Sequence, residues 1–174
     1  MSISYSIQME TQPTEVTCGP TCLSGMYRFL GTPVSIDEII QQVTFVKGGG
    51  TLGVHLGLDA LNRKFDVQIC THNLQVFDPS WFSLEQSDIA QRLDAQTMTN
   101  KAVKTIEASF AYKDFIDEGG LIFWSELNTE FIYESLKIKG PFIAGLSATY
   151  LYWSKREFGE DCIYDDINGD PQGH

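Results

Sequence analysis

Apolar residues recur at helical spacing through Cys22, Leu23, Met26, Phe29 and Leu30, which predicts a helix from about Gly19 to Leu30 with Gly31 as its C-cap. "VSIDEII" then reads as a capping box, with Ser35 at the N-cap and Glu38 three residues on, opening a short helix to about Val43. "KGGGTLGVHLGLDALNRKF" is a glycine turn leading into a further helix, with Thr51 as its N-cap. "DVQICTH" mixes β-branched residues with alternation and reads as a short strand. From roughly Ser83 to Glu118 the pattern predicts two helices broken near Thr97 to Asn100. "LIFW" reads as a buried strand, "NTEFIYESLKIKG" as a helix ending at Gly140, and "PFIAGLSA" as the best strand in the chain. The remainder, "EFGEDCIYDDINGDPQGH", is an acidic, turn-rich loop. Helices that precede short strands gathered in the second half predict an α+β fold rather than a regular βαβ alternation.

The 174 residues suit one domain with a substantial core, and no repeat or linker divides residues 1–174. No apolar run reaches the roughly 18–20 residues a membrane helix needs, so no membrane partner is expected. The start "MSISYSIQMETQ" has neither the basic nor the apolar region of a signal peptide, which predicts a cytoplasmic protein. Twelve basic against 23 acidic residues leave a net charge of -11, which argues against nucleic acid as a partner. The four cysteines, Cys18, Cys22, Cys70 and Cys162, are expected as free thiols in such a chain.

Chemistry concentrates in "QPTEVTCGPTC". A cysteine in the first turn of a helix meets unpaired backbone N–H groups and the positive end of the macrodipole, both favouring a negative charge on sulfur. Proline needs no donor in a first turn, and glycine permits close approach to the backbone. If the segment before the helix folds back, the Gln12 carboxamide and the Cys18 N–H form an oxyanion hole. A buried structural thiol is the competing reading of Cys18. The histidines open to a base role are His55, His72 and His174.

"Q-x5-C-G-P-T-C-L" followed by an apolar helix resembles the start of papain-like cysteine peptidases, and among them the bacteriocin-processing group that cleaves leader peptides after a double glycine. "TCGPTCLSGMYRFLG", "LQVFDPSWF" and "GLSATYLYWSKREFG" resemble stand-alone bacterial peptidase-like members, and the likeness spans nearly the whole chain. It implies a papain-like fold, with N-terminal helices packed on a small antiparallel sheet, and a cysteine peptidase acting on a peptide or protein. Under it Cys18 matches the nucleophile, Gln12 the oxyanion donor and His174 the general base, with neither cofactor nor metal. In the family the histidine begins a core strand, followed by an orienting Asp or Asn. That strand is missing here, so the expectation is a domain truncated at its C-terminal end. A catalytically silent member that binds a peptide or partner protein is the alternative.

Other residues read more plainly. Cys22, one turn after Cys18, is a core residue first and a redox partner or metal ligand second; a zinc site with Cys18 lacks a second ligand pair of regular spacing. Cys70 and Cys162 are incidental, His55 belongs to a helix face and His72 to a turn. Gly48 to Gly50 lack the Lys and Ser/Thr of a phosphate-binding loop. "LQVFDPSWF" either lines a peptide groove or packs on the core. Glu157, Glu160, Asp161, Asp165, Asp166 and Asp170 all lie close in sequence to His174, so a catalytic His174 implies an acidic cleft and a substrate carrying Lys or Arg.

Overall fold

The computed structural model describes residues 2–46, 49–99, 102–159 and 163–173. Of the residues singled out above, Gly48, Asn100, Glu160, Asp161, Cys162 and His174 lie outside them. The elements are α1 (Cys18–Phe29), α2 (Ile36–Gln42), α3 (Gly53–Asn62), β1 (Gln68–Cys70), a 3-10 turn (Pro79–Ser83), α4 (Gln86–Thr99), α5 (Val103–Asp117), β2 (Leu121–Phe123), α6 (Thr129–Lys139), α7 (Ala148–Leu151), β3 (Glu157–Phe158) and β4 (Ile163–Tyr164). The architecture is thus a mixture of helices and small sheets.

Local chemistry sets most boundaries. Ser35 Oγ accepts from the Glu38 N–H at 3.2 Å and starts α2. The Glu38 carboxylate, however, pairs with Arg63 instead of returning to Ser35, so half of the expected capping box is spent elsewhere. Asn128 caps α6 by accepting from the Phe131 N–H at 2.8 Å, and Gly140 ends it at a φ of 91°. Thr51 does not cap α3. Leu52 stands at that position, and the Thr51 hydroxyl is buried without a partner among the described residues.

The sheets depart from expectation. β1 and β2 pair in parallel, Gln68 to Leu121 through Cys70 to Phe123, and the antiparallel pair is β3 with β4, two residues each. "PFIAGLSA" forms no strand: residues 141–146 join no ladder, and only Ser147 is bridged, to Gly173. An apolar run lacking a neighbouring edge has nothing to satisfy its backbone, and propensity alone does not supply one. "LQVFDPSWF" packs inward, with Val76 and Phe77 buried and the Phe77 ring 4.8 Å from that of Tyr112.

Two clusters form the core. Val54, Val76, Phe77, Ile89, Leu93, Phe115 and Ile122 join α3, α4, α5 and the strands. Leu23, Tyr27, Ile39, Val43, Leu56 and Ala60 join α1, α2 and α3. Beyond them the chain packs loosely: from 124 to 173, Gly169 is the one buried residue among those described.

β2 has a second edge, and Gln86 occupies it. The carboxamide donates to the Ile122 carbonyl and accepts from the Ile122 N–H, each at 2.8 Å, imitating a strand. Ile122 is almost wholly buried, so water cannot replace the lost partner. Gln86→Ala is expected to lower stability by about 1–3 kcal/mol, the cost of stranding buried polar groups. Urea unfolding checks this, and a change below that of an exposed α4 control would refute it.

Candidate functional site

Cys18 is the first residue of α1. No side chain among the described residues caps that helix, because Thr17 directs its hydroxyl to the Thr14 carbonyl at 2.8 Å and accepts from the Thr14 N–H at 3.0 Å. Thr21 N–H bonds the Thr17 carbonyl, and Pro20 has no N–H. The amides of Cys18 and Gly19 therefore stay free among the described residues. Gly19 does not open the backbone to a ligand. A Cβ there would lie 3.1 Å from a Leu56 methyl and 3.6 Å from the Thr51 Cβ, so its lack of a side chain serves the packing of α3 against α1.

The turn over Thr14 to Thr17 reverses the chain, and the preceding segment runs back along α1 as a strap. Tyr5 packs edge-on against Phe29 at 5.7 Å, Arg28 donates to the Gln8 carbonyl at 3.1 Å and pairs with Glu10, and Met9 lies over Gly25. The direction is antiparallel. From Met9 to Gln12 the chain spans up to about 10 Å, and from Gly25 back to Cys18 the helix rises about 10.5 Å. The strap thus runs toward the first turn of α1, and a fully extended course from Met9 would be long enough for Gln12 to reach it. Gln12 and Cys18 are both half-buried, and the Gln12 carboxamide has no hydrogen-bond partner among the described residues.

The histidines divide differently. His55 is half-buried on α3: burial lowers its pKa and the Glu107 carboxylate opposes that shift, whereas the neighbouring Leu56 is what α3 turns toward Gly19. His72 sits beyond β1, with Nε2 2.8 Å from the Ser125 carbonyl and its ring edge-on to Trp124. Neither hydrogen-bonds Cys18. His174 lies outside the described residues, while Gly173 before it is bridged to Ser147 and the Ala148 N–H donates to the Gln172 carbonyl at 2.8 Å.

A small apolar pocket of about 160 Å³ lies one turn along from Cys18, lined by Ile7, Met9, Cys22, Met26 and residues 142–144. Burial raises the Cys22 pKa, and the nearby Cys18 raises it further. The strap residues of this pocket were missed from sequence. Their signal is the strict alternation Ile3, Tyr5, Ile7, Met9, the period of an extended segment with one apolar side. In the acidic loop, Asp165 serves its own turn. Its carboxyl is held down to about 2 by the Asn168 N–H, the Asn168 side chain and the Ile167 N–H. No cluster of three or more His, Cys, Asp or Glu suited to a metal occurs among the described residues, and no helix among them is long and apolar enough to cross a membrane.

Set beside protein-family models, curated proteins and solved structures, the chain matches none.

Proposed function

We propose that the protein is a papain-like thiol hydrolase that cleaves peptide bonds, with Cys18 as nucleophile. The observation that supports the reading is a helix start bearing a thiol with no side-chain cap among the described residues, beside a strap that runs back along α1 and contains Gln12, whose carboxamide has no hydrogen-bond partner among those residues. Those are the parts an acyl-transfer site needs: a nucleophile, and donors aimed at the charge that develops on the attacked carbonyl. In the proposed reaction His174 takes the Cys18 proton and the thiolate attacks the carbonyl. The Gln12 amide and the Cys18 N–H bind the oxyanion. The imidazolium then protonates the leaving amine, and water releases the acyl-enzyme. The reading expects a cytoplasmic enzyme and a peptide or protein substrate, with Lys or Arg favoured by the acidic loop.

A second reading, a peptidase-like domain that binds a peptide or partner protein without cleaving it, draws on the exposed apolar side chains of the C-terminal third. Ile138, Tyr150, Trp153 and Ile167 are each at least 74% exposed.

Iodoacetamide at pH 6 separates the two. A thiol of ordinary acidity, near a pKa of about 8.5, is almost wholly protonated there and reacts slowly. Fast labelling confined to Cys18, located by peptide mapping and absent in Cys18→Ala, is expected for the hydrolase. Slow and uniform labelling of all four cysteines would overturn it in favour of the binding domain.

A further inference from the structure

We propose that Cys18 and Cys22 form an oxidisable pair, in which a hydroperoxide converts Cys18 to a sulfenic acid and Cys22 closes it to an intrahelical disulfide. The inference uses the same thiol as the proposed reaction but requires only that this thiol react with an electrophile. Helix geometry supplies the spacing. Residues four apart on an α-helix have Cα atoms about 6 Å apart, within the roughly 4.4–6.8 Å that disulfides span. Their Cβ atoms, about 5–6 Å apart, must close to nearer 4 Å, so the first turn has to loosen.

Three features of the structure permit this. Cys18 is the first helical residue, and no side chain among the described residues caps the turn it begins. Among the described residues the Cys18 and Gly19 amides carry no hydrogen bond, and the bond from the Thr21 N–H to the Thr17 carbonyl is what holds the start of that turn. Cys22 is half-buried and lines the 160 Å³ pocket with Met9 and Met26, so close packing does not enclose its side chain on every side. Cys70 lies on β1, in a separate part of the fold.

The steps balance. Cys18–SH takes one oxygen from ROOH, giving Cys18–SOH and ROH; sulfur is oxidised by two electrons and the peroxide is reduced by two. Cys22–SH then attacks the sulfenic sulfur, forming the S–S bond, and hydroxide leaves with the Cys22 proton as water. A dithiol such as dithiothreitol returns both thiols by exchange. The pair would protect Cys18 from irreversible sulfinic and sulfonic acids and silence it reversibly.

The test uses the full chain treated with hydrogen peroxide at pH 7, then N-ethylmaleimide, then trypsin. No Lys or Arg precedes Arg28, so residues 1–28 leave as one peptide carrying both thiols, while Cys70 and Cys162 leave on others. The expected product is a 1–28 peptide lighter by two hydrogens, with complete loss of maleimide uptake that dithiothreitol restores. In Cys22→Ser, Cys18 is expected to be trapped by dimedone and to progress to the sulfinic acid. Oxygen adducts on Cys18 in the wild-type chain at the rate seen in Cys22→Ser, or a link to another peptide, would overturn the pairing. Selective iodoacetamide labelling of Cys18 alongside that failure removes only the pair. Failure of both removes the hydrolase reading as well.

Discussion

Asp59→Ala is expected to destabilise the protein by about 3–5 kcal/mol, toward the lower figure, the cost of breaking a buried pair by removing one partner. Asp59 is 5% exposed and stands at the centre of a clamp on three helices. Its Oδ1 accepts from the Tyr27 hydroxyl at 2.6 Å and from Arg63 Nε at 2.8 Å. Arg63 reaches on to Glu38 at 3.0 Å and Gln42 at 2.8 Å, with its guanidinium 5.5 Å from the centre of the Tyr27 ring. Burial, and then the Asp59 carboxylate, push the Tyr27 phenol upward, so the phenol stays neutral and donates. Alanine would strand the Tyr27 hydroxyl in the core. Arg63 keeps Glu38, Gln42 and partial exposure, which places the loss nearer 3 than 5. Asn, which still accepts from Tyr27 while losing the charge, should fall between alanine and wild type. Urea unfolding of the three proteins checks the order, and Asn equal to Ala would show that charge, not the hydroxyl contact, dominates. Because α1 carries Cys18, the alanine variant should also lose selective labelling of that thiol at lower urea.

The larger effect is expected in the other cluster. Phe115→Ala should cost about 3–5 kcal/mol, the range for a fully buried aromatic replaced by a methyl group. Phe115 is completely buried and its ring rests on two glycines. A Cβ on Gly57 would come within 2.8 Å of the ring, and one on Gly120 would come closer still. Backbone walls of this kind cannot swing in to fill the space, so the cavity persists and the cost sits high in the range. The same contact predicts coupling. Gly57→Ala alone should destabilise by overpacking, about 1–3 kcal/mol, and should cost less in a Phe115→Leu background. A double-mutant cycle that came out additive would refute the contact.

Much of the helical frame was legible because its signals are local. The spacing from Cys22 to Leu30, Ser35 before α2 and Gly140 after α6 each act within about one turn, and each appears where the pattern predicts. Thr51 shows the limit. It has the right chemistry for a cap, but the approach of α3 to Gly19 buries it, and Leu52 takes the position. The strands were harder to read. "LIFW" and "DVQICTH" were recognised, yet nothing in either reveals that they pair in parallel across more than fifty residues. "PFIAGLSA" has strand composition and no strand, because pairing needs a partner edge and composition cannot provide one.

The candidate site follows the same division. Sequence alone determined that a thiol opens a helix, since Cys18 precedes Gly-Pro and an apolar period, and these are properties of one short segment. It also raised Gln12, but only on the condition that the strap folds back. Tertiary structure decided that condition, through Tyr5 on Phe29, Arg28 on Gln8 and Glu10, and Met9 on Gly25. It likewise decided that Gly19 serves packing, that His55 is half-buried with its pKa lowered by that burial, and that Cys22 opens on a pocket. Each of these depends on which face of one element meets another. That choice is made by the summed burial of distant side chains, and no window of neighbouring residues contains it.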